Sequence, residues 1–572
     1  MLCAKIIIRL RDLLLELRSS ATFLELRSSA TTIVVAVAMI AAACTKISTS
    51  AGPQAGTHNA WTKPGVLRIV SRQEPDNLNP MFGTEVVDKD LSMFWGGYLF
   101  NWSDENQLVP ELATAAPTLR NGGISHHGLT ITYHLRRGAT WQDGAPFGAD
   151  DVIFTWRQML NPANPVVSRA GFDVVSRIDK LDDYTMRIHL KQRFSPFVNS
   201  FFTMSNVPVA ILPKHLLDGV PNLAHAAYNR LPIGTGPFRL VEYERGSHLT
   251  FVANPRYWRG PPKLSKIEWR IVGNDNTSLI LLKSHEADFY YRATEGQLPV
   301  LRAIPGTRVL FTEFTQFADI GINAGHPPLD DIRVRRALAY ATNRQELIDK
   351  VSHGVNALGS TDQPAFLWVH DDKAAEYAYD PRRSAALLDD AGWVLEADGL
   401  RHKQGKPLTF EMVGFTGSST VAGAQQVIQE QWRQAGVGVQ IKNFPSNQLY
   451  ATLADSGVEQ TGKFDVAYEE WANGIDPDDS ILVRCDMAPP KGWNIYHFCS
   501  PALDRAEADA LVNYDPAKRK VDYAVVQREI ADKLPFIIIW YVRRLDVINT
   551  DFSKYRPAHA VTPFWNAWEW AI

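Results

Sequence analysis

Thr420-Val-Ala-Gly-Ala-Gln-Gln-Val-Ile-Gln-Glu-Gln-Trp-Arg-Gln-Ala435 is closed by Gly436, and Gly438-Val-Gln-Ile-Lys-Asn-Phe444 follows at once. The first stretch has amphipathic helical spacing with a glycine stop, and the second reads as a strand. Phe464-Asp-Val-Ala-Tyr468 reads as a further strand with a helix between. This βαβ-like alternation predicts an α/β lobe. Upstream, Asp380-Pro-Arg-Arg-Ser-Ala-Ala-Leu-Leu-Asp-Asp-Ala-Gly392 starts with Asp then Pro at the first helical position and stops at Gly, the expected asymmetry of a helix. Asp331-Ile-Arg-Val-Arg-Arg-Ala-Leu-Ala-Tyr-Ala-Thr-Asn343 places Val334, Leu338 and Ala341 on one helical face. The first half of the chain is different, with short strands punctuated by turns. Val66-Leu-Arg-Ile-Val70, Gly128-Leu-Thr-Ile-Thr-Tyr-His-Leu135 and Tyr184-Thr-Met-Arg-Ile-His-Leu190 read as strands. A strand entered at Gly234 is expected to pair with Leu249-Thr-Phe-Val-Ala-Asn254.

The chain has 572 residues, and residues 1–43 read as a leader. The remaining length, about 529 residues, exceeds what one core supports, so two or three domains are expected. Several segments occur in order along it: Glu74-Pro-Asp-Asn-Leu-Asn-Pro80, Pro110-Glu-Leu-Ala113, Trp141-Gln-Asp-Gly-Ala-Pro-Phe147 with Asp150-Asp-Val-Ile-Phe154, Gly234-Thr-Gly-Pro-Phe238, Asn254-Pro-Arg-Tyr-Trp258 and Asp331-Ile-Arg-Val-Arg-Arg-Ala-Leu338. From about residue 65 to its end the chain resembles the extracellular solute-binding proteins of peptide, dipeptide and nickel ABC importers. The resemblance implies an α/β, two-lobed periplasmic-binding-protein fold of the large peptide-binder class, with an inserted third subdomain and a hinge. Lobe I would comprise residues 64–110, an inserted subdomain at 111–229, residues 230–325 and a return at 533–572. Lobe II would be residues 326–532. It further implies capture of a peptide or peptide-like solute by a monomer that closes about its hinge. Delivery to an ABC permease with ATPase subunits would follow, without catalysis, metal or cofactor. Most of the quoted motifs are expected to serve folding, as turns and strand entries.

Residues 1–43 contain a direct repeat, Leu15-Glu-Leu-Arg-Ser-Ser-Ala-Thr22 and Leu24-Glu-Leu-Arg-Ser-Ser-Ala-Thr31. Two copies are too few for a repeat architecture. The apolar run Thr31-Thr-Ile-Val-Val-Ala-Val-Ala-Met-Ile-Ala-Ala-Ala43 is too short for a permanent span and ends at Cys44, as in a secretory signal. That junction resembles a lipobox, with Cys44 as the lipidated residue and an anchor on the outer face of the cytoplasmic membrane. Ala41 departs from the large aliphatic residue usual three positions before the cysteine. Plain secretion and an uncleaved anchor are the alternatives. Residues 44–63 read as a flexible tether.

The formal net charge is −3, and the leader carries a net +2, leaving the mature chain near −5. A mildly acidic chain without a long basic run gives no footprint for nucleic acid. Cys485 and Cys499 are the only cysteines beyond the leader and anchor. An even count in an exported chain suggests a disulfide, with two buried thiols as the alternative. The resemblance supports the bond, since dipeptide binders carry one there.

In peptide-binding relatives an aspartate after a lobe II strand pairs with the ligand's α-ammonium, a charge-assisted contact. Here the stretch is Trp471-Ala-Asn-Gly-Ile-Asp-Pro-Asp-Asp-Ser480, which puts Asn473 at that position. Asp476 is the substitute expected for the ammonium, and Trp471 a wall of the cleft. Asp476 could instead cap a helix with Pro477 at its first position, or join Asp478 and Asp479 in a calcium loop lacking its glutamate. Trp471 could equally be core. Glu74 aligns with a ligand-contacting glutamate, or is a solvated loop charge.

An enzyme would need a reactive constellation. There is no Gly-x-Ser-x-Gly elbow, and His285-Glu286 lacks a second histidine at zincin spacing. Gly457-Val-Glu-Gln-Thr-Gly-Lys463 fails as a phosphate loop, because Phe464 follows it and it precedes a strand. A cryptic hydrolase would show two facing carboxylates in the cleft. A binder of oligosaccharide, an opine-like conjugate or a nickel chelate is the other alternative. Sugar binding would stack Trp95, Trp471 and Trp565 along the cleft. His126-His127 would point to opposite sides of a strand and make a poor metal site.

Overall fold

The computed structural model describes residues 58–572 except 84, 206, 207, 560 and 561. The leader, Cys44 and the tether as far as residue 57 lie outside the described residues. Asn59 to Ile572 form one compact unit. Its backbone is an 11-stranded sheet running Gly438–Phe444, Thr409–Phe415, Val466–Ala472, Thr307–Ile322, Phe536–Asn549, Phe289–Tyr290, Val66–Ser71, Lys266–Ile271, His248–Ala253, Phe238–Glu244, with Ala357–Leu358 paired to the fifth of these. The first three strands are mutually parallel, and the helix Ser419–Gln434 makes the crossover from Thr409–Phe415 to Gly438–Phe444. Val66–Ser71 lies parallel to both its neighbours, whereas the middle strands Thr307–Ile322 and Phe536–Asn549 are antiparallel.

Those two middle strands, 16 and 14 residues long, carry the chain from one half of the sheet to the other and back. Their pairing is continuous from Thr307/Asn549 to Glu313/Arg543, breaks, and resumes at Phe317/Tyr541. A break of this kind bends a strand and re-aims its side chains. Here it frees Phe314, Thr315 and Gln316 from the return strand.

Local chemistry explains the helices. Asp380 Oδ1 accepts the N–H groups of Arg382 and Arg383 at 3.1 and 3.0 Å, so Pro381 sits where its missing N–H costs nothing. Ser418 caps Ser419–Gln434, which buries Val421, Ala424, Ile428 and Trp432. The shared motifs do fold the chain. Gln142 bonds the Gly234 N–H and the Phe238 carbonyl, Trp141 donates to Asp151 Oδ2, and a side chain at Gly234 would overlap the Trp95 carbonyl. His126 and His127 lie exposed in a turn rather than on a strand, because the strand starts only at Thr130.

One core lies beneath the Val66–Ser71 half and the segment inserted after it, including Trp95, Trp141, Trp269 and Trp570. Two more flank the other half, around Trp432 and Trp540 and around Tyr496 and Tyr523. The inserted segment also touches that half: Ser195 caps the end of helix Pro501–Val512, donating Oγ to the Ala510 carbonyl at 2.8 Å and N–H to Leu511 at 2.7 Å.

Cys485 and Cys499 are joined by a disulfide. A loop of roughly 15 residues is worth about 3 kcal/mol in the chain-entropy account. Replacing both cysteines by serine is therefore expected to lower the urea-unfolding free energy by about 3 kcal/mol. A loss below about 1 kcal/mol would place the loop's stability elsewhere.

Candidate functional site

The strand break opens onto a cleft. Two cavities of about 500 and 550 Å³ lie side by side and share Arg72, Gln73, Arg292, Phe314 and Gln316. One wall is the carboxyl end of strand Val66–Ser71 with Lys89 from helix Val86–Trp95. The other is formed by the carboxyl ends of two more parallel strands, with Glu470 and Trp471 from one and Phe415 to Thr420 leading from the other into a helix. Parallel α/β sheets bind ligands at these carboxyl ends, where backbone groups and helix starts are free of the ladder.

The cleft carries both charges. Glu470 accepts from Gln316 Nε2 at 3.0 Å; burial and then repulsion by Glu295 push it up to about 7. Asp275, farther along, accepts from Thr294 Oγ1 at 2.6 Å and faces Arg72 at 3.4 Å. Arg543 is paired to Glu313 at 2.7 Å. Lys89 and Arg292 face the first cavity.

Of the residues singled out in the sequence, only Trp471 lines this cleft. Its indole N–H donates to Asn473 Oδ1 at 2.8 Å, while Asn473 Nδ2 donates to the Asp362 carbonyl at 3.1 Å. Asn473 is therefore a buried brace that sets the angle of the tryptophan. Glu74 is a loop brace too: its carboxylate accepts from the Tyr243 hydroxyl at 3.1 Å and the Gly246 N–H at 2.8 Å. Trp95 must be corrected. Its ring has no exposed surface and packs edge-on to Tyr228 in the first core. Trp565 packs on Trp568 and under Arg556, so the three tryptophans form no stack.

Asp476 must also be corrected. Arg519 grips it with two bonds of 2.6 and 3.0 Å, and Asn199 Nδ2 donates at 2.7 Å. Its charge is already neutralised, which leaves nothing to attract a ligand's ammonium. It caps nothing either, because the next helix runs Ser480–Val483, three residues beyond Pro477. It does line a separate cavity of about 250 Å³ with Trp102 and Phe172.

Two groups of buried carboxyls stand behind this wall. Asp319 and Glu469 are cross-strand partners, with Glu459 beside them. Asp362, Asp479 and Glu507 form the other group. Burial holds all six above the ordinary carboxylate range, with Glu469 and Glu507 each pushed up to about 8. Among the described residues no group of three or more His, Cys, Asp or Glu is arranged to hold a metal ion.

The family description "Bacterial extracellular solute-binding proteins, family 5 Middle" matches residues 107–488, and the chain belongs to that family. Di/tripeptide-binding protein 2 of Pseudomonas aeruginosa is 26% identical over 524 residues, covering 86% of this chain and 93% of that protein. The oligopeptide-binding protein AppA of Bacillus subtilis, solved with a nonapeptide, superposes with a TM-score of 0.73 at 22% identity, over 89% of this chain and 99% of that one. NikA from Brucella suis, solved with Fe(III)-EDTA, gives 0.78 at 20% identity, over 88% and 99%. The fold is thus the two-lobed α/β binding-protein fold of the peptide-binding class.

Proposed function

We propose that this protein is the substrate-binding component of an ABC importer, capturing peptides in the cleft between the halves of its sheet and passing them to a membrane permease and its ATPase subunits. The observation that carries the reading is the pair of joined cavities at the carboxyl ends of the parallel strands, lined by charges of both signs. A zwitterionic, extended ligand complements such a lining, with main-chain hydrogen bonds supplying much of the affinity. Glu470, beside Glu295, replaces Asp476 as the acidic partner for the ligand's ammonium, and Trp471 is the wall. The strand break at Phe314 to Gln316, facing Tyr541 to Arg543, is the hinge, so the lobes divide there rather than near residues 326 and 533. Binding and release need no bond chemistry, so the protein acts as a carrier. It works outside the cytoplasmic membrane as a monomer, tethered there through a lipid on Cys44. Among the described residues no helix is long and apolar enough to cross a membrane.

Thermal-shift screening of the protein from Cys44 onward against di-, tri- and oligopeptides, sugars and metal chelates tests this. Peptides are expected to raise the unfolding midpoint, and a response to sugars or chelates alone would reject the reading. Glu470 must be ionised to hold an ammonium, and its raised value means it ionises only as the pH climbs through about 7. Peptide affinity measured calorimetrically should thus rise between about pH 6 and about pH 8, and Glu470→Gln should weaken binding and flatten that rise.

A further inference from the structure

The cleft does not end at its second cavity. A groove of about 430 Å³ adjoins it, sharing Ser419 and Thr420 and carrying on from Glu295 to Gly296. One side of the groove is Gly296, in the half of the sheet that packs around Val70. The other side is built from helices Arg344–Lys350 and Ser419–Gln434 of the opposite half. The three spaces in a row exceed the roughly 300–1,000 Å³ of a small-molecule pocket. The charges of the groove are spent within the protein. Lys350 Nζ donates to Glu346 Oε1 at 2.6 Å, Gln431 Nε2 donates to Glu346 Oε2 at 2.9 Å, and both Glu430 oxygens accept from Arg433 at 2.8 Å. Hydroxyls, side-chain amides and apolar surface remain, from Ser419, Thr420, Gln426 and Val427. Such a lining holds a peptide main chain without choosing among side chains.

Two glycines keep the groove open. Gly423 lies inside the helix Ser419–Gln434, where glycine is less stable than alanine. Nothing in the fold asks for it. Its backbone is not left-handed, and an added Cβ would meet no other element closer than the Val351 methyls, at 3.6 and 3.8 Å. Those are ordinary contact distances. Gly296 is the same case: its backbone is not left-handed, and the nearest atom beyond its chain neighbours would be His353 Nε2 at 3.9 Å. Neither residue is required by a turn or a close approach, yet both line this one groove. A longer side chain at either position would fill it. What the two glycines preserve is room for something laid along the groove, continuous with whatever fills the cleft.

We propose that the groove carries the C-terminal part of an oligopeptide whose ammonium sits at Glu470 and whose first side chain lies against Trp471, so that this protein takes chains longer than three residues and lets their far end run out between Gly296 and Gly423. The inference rests on the peptide reading and adds the ligand's length and direction. An extended chain advances about 3.3–3.6 Å per residue. Each residue laid in the groove adds main-chain hydrogen bonds without demanding a particular side chain.

Calorimetry with Ala-Ser-Ala and with the nonapeptide made of three such units would compare the wild type, Gly296→Leu, Gly423→Leu and Gly423→Ala. The wild type should bind the nonapeptide at least about tenfold tighter than the tripeptide. Each leucine should erase that gain while changing tripeptide binding less than about twofold. Gly423→Ala should keep most of the gain and should not lower the unfolding midpoint. Midpoints of the empty leucine variants within about 3 °C of wild type would confirm that they fold. The wild type supplies a second readout that needs no variant: a nonapeptide ending in p-benzoylphenylalanine should photo-crosslink to residues 350–353 or 419–434. Crosslinks confined to the cavity of Lys89 and Trp471 overturn the groove and leave the peptide reading standing. So do an absence of any gain from length, a gain that survives either leucine, and equal losses for the two peptides. A wild type that binds neither peptide overturns the peptide reading and the groove with it.

Discussion

Raising the pH from about 5 to about 8.5 should lower the unfolding free energy of this protein steeply, and Glu469→Gln should remove much of that loss. Glu469 is 6% exposed, faces the fully buried Asp319 across the strands, and has Glu459 beside it. Its Oε2 accepts the Tyr496 hydroxyl at 3.2 Å, whereas Oε1, both Asp319 oxygens and Glu459 Oε1 have no hydrogen-bond partner among the described residues. Three such groups can share this space only if they keep their protons. For Glu469 the folded value is about 8 against an ordinary 4.5, chiefly through burial. A group raised in the folded state contributes stability that is whole below its unfolded value and is lost as the pH rises through its folded one. That difference corresponds to a loss on the order of 5 kcal/mol across the window. Urea midpoints measured across it should fall in the wild type and fall less in Glu469→Gln, whose amide fits the site without ionising. Parallel curves for the two proteins would show that Glu469 is ionised throughout.

Arg519→Met should destabilise the protein by about 3–5 kcal/mol, the cost of leaving a buried charge unpaired. The side chains of Arg519 and Asp476 are 7% and 12% exposed, and the guanidinium also donates to the Tyr523 hydroxyl at 3.3 Å. Adding Asp476→Asn should recover most of the loss, because the pair costs less to remove than to break. The same variants separate structure from recognition. Asp476→Asn alone should change the affinities of a free and an N-acetylated peptide by similar factors. A selective loss for the free peptide would return Asp476 to the role of ammonium partner.

Nothing in Asp88-Lys89-Asp90 marks which of the three faces a cavity. Consecutive helical residues do not face one another, and the two aspartates turn toward Glu85 and Tyr291. Lys89 is left facing the cavity. Arg292 carries no local signal, because its conformation depends on Asp546, 254 positions away. The Asp476–Arg519 pair spans 43 residues, and nothing around Asp-Pro distinguishes it from an ordinary helix start. Trp95 and Trp471 are alike as residue types, yet one is core and the other a cleft wall.

The sequence by itself determined what is settled within a turn or two of chain. It set the helices Ile332–Ala341, Pro381–Asp390 and Ser419–Gln434 with their caps, the strand Gly438–Phe444, and the turn and strand-entry motifs that place the chain in its family. Capping bonds and apolar periodicity are short-range, so they survive being read without a fold. The tertiary structure decided which charges are spent and which are left for a ligand. Desolvation and pairing energies depend on which groups meet across the sheet and around the break at Glu313/Phe317. Those meetings join residues tens to hundreds of positions apart, and no local pattern encodes them.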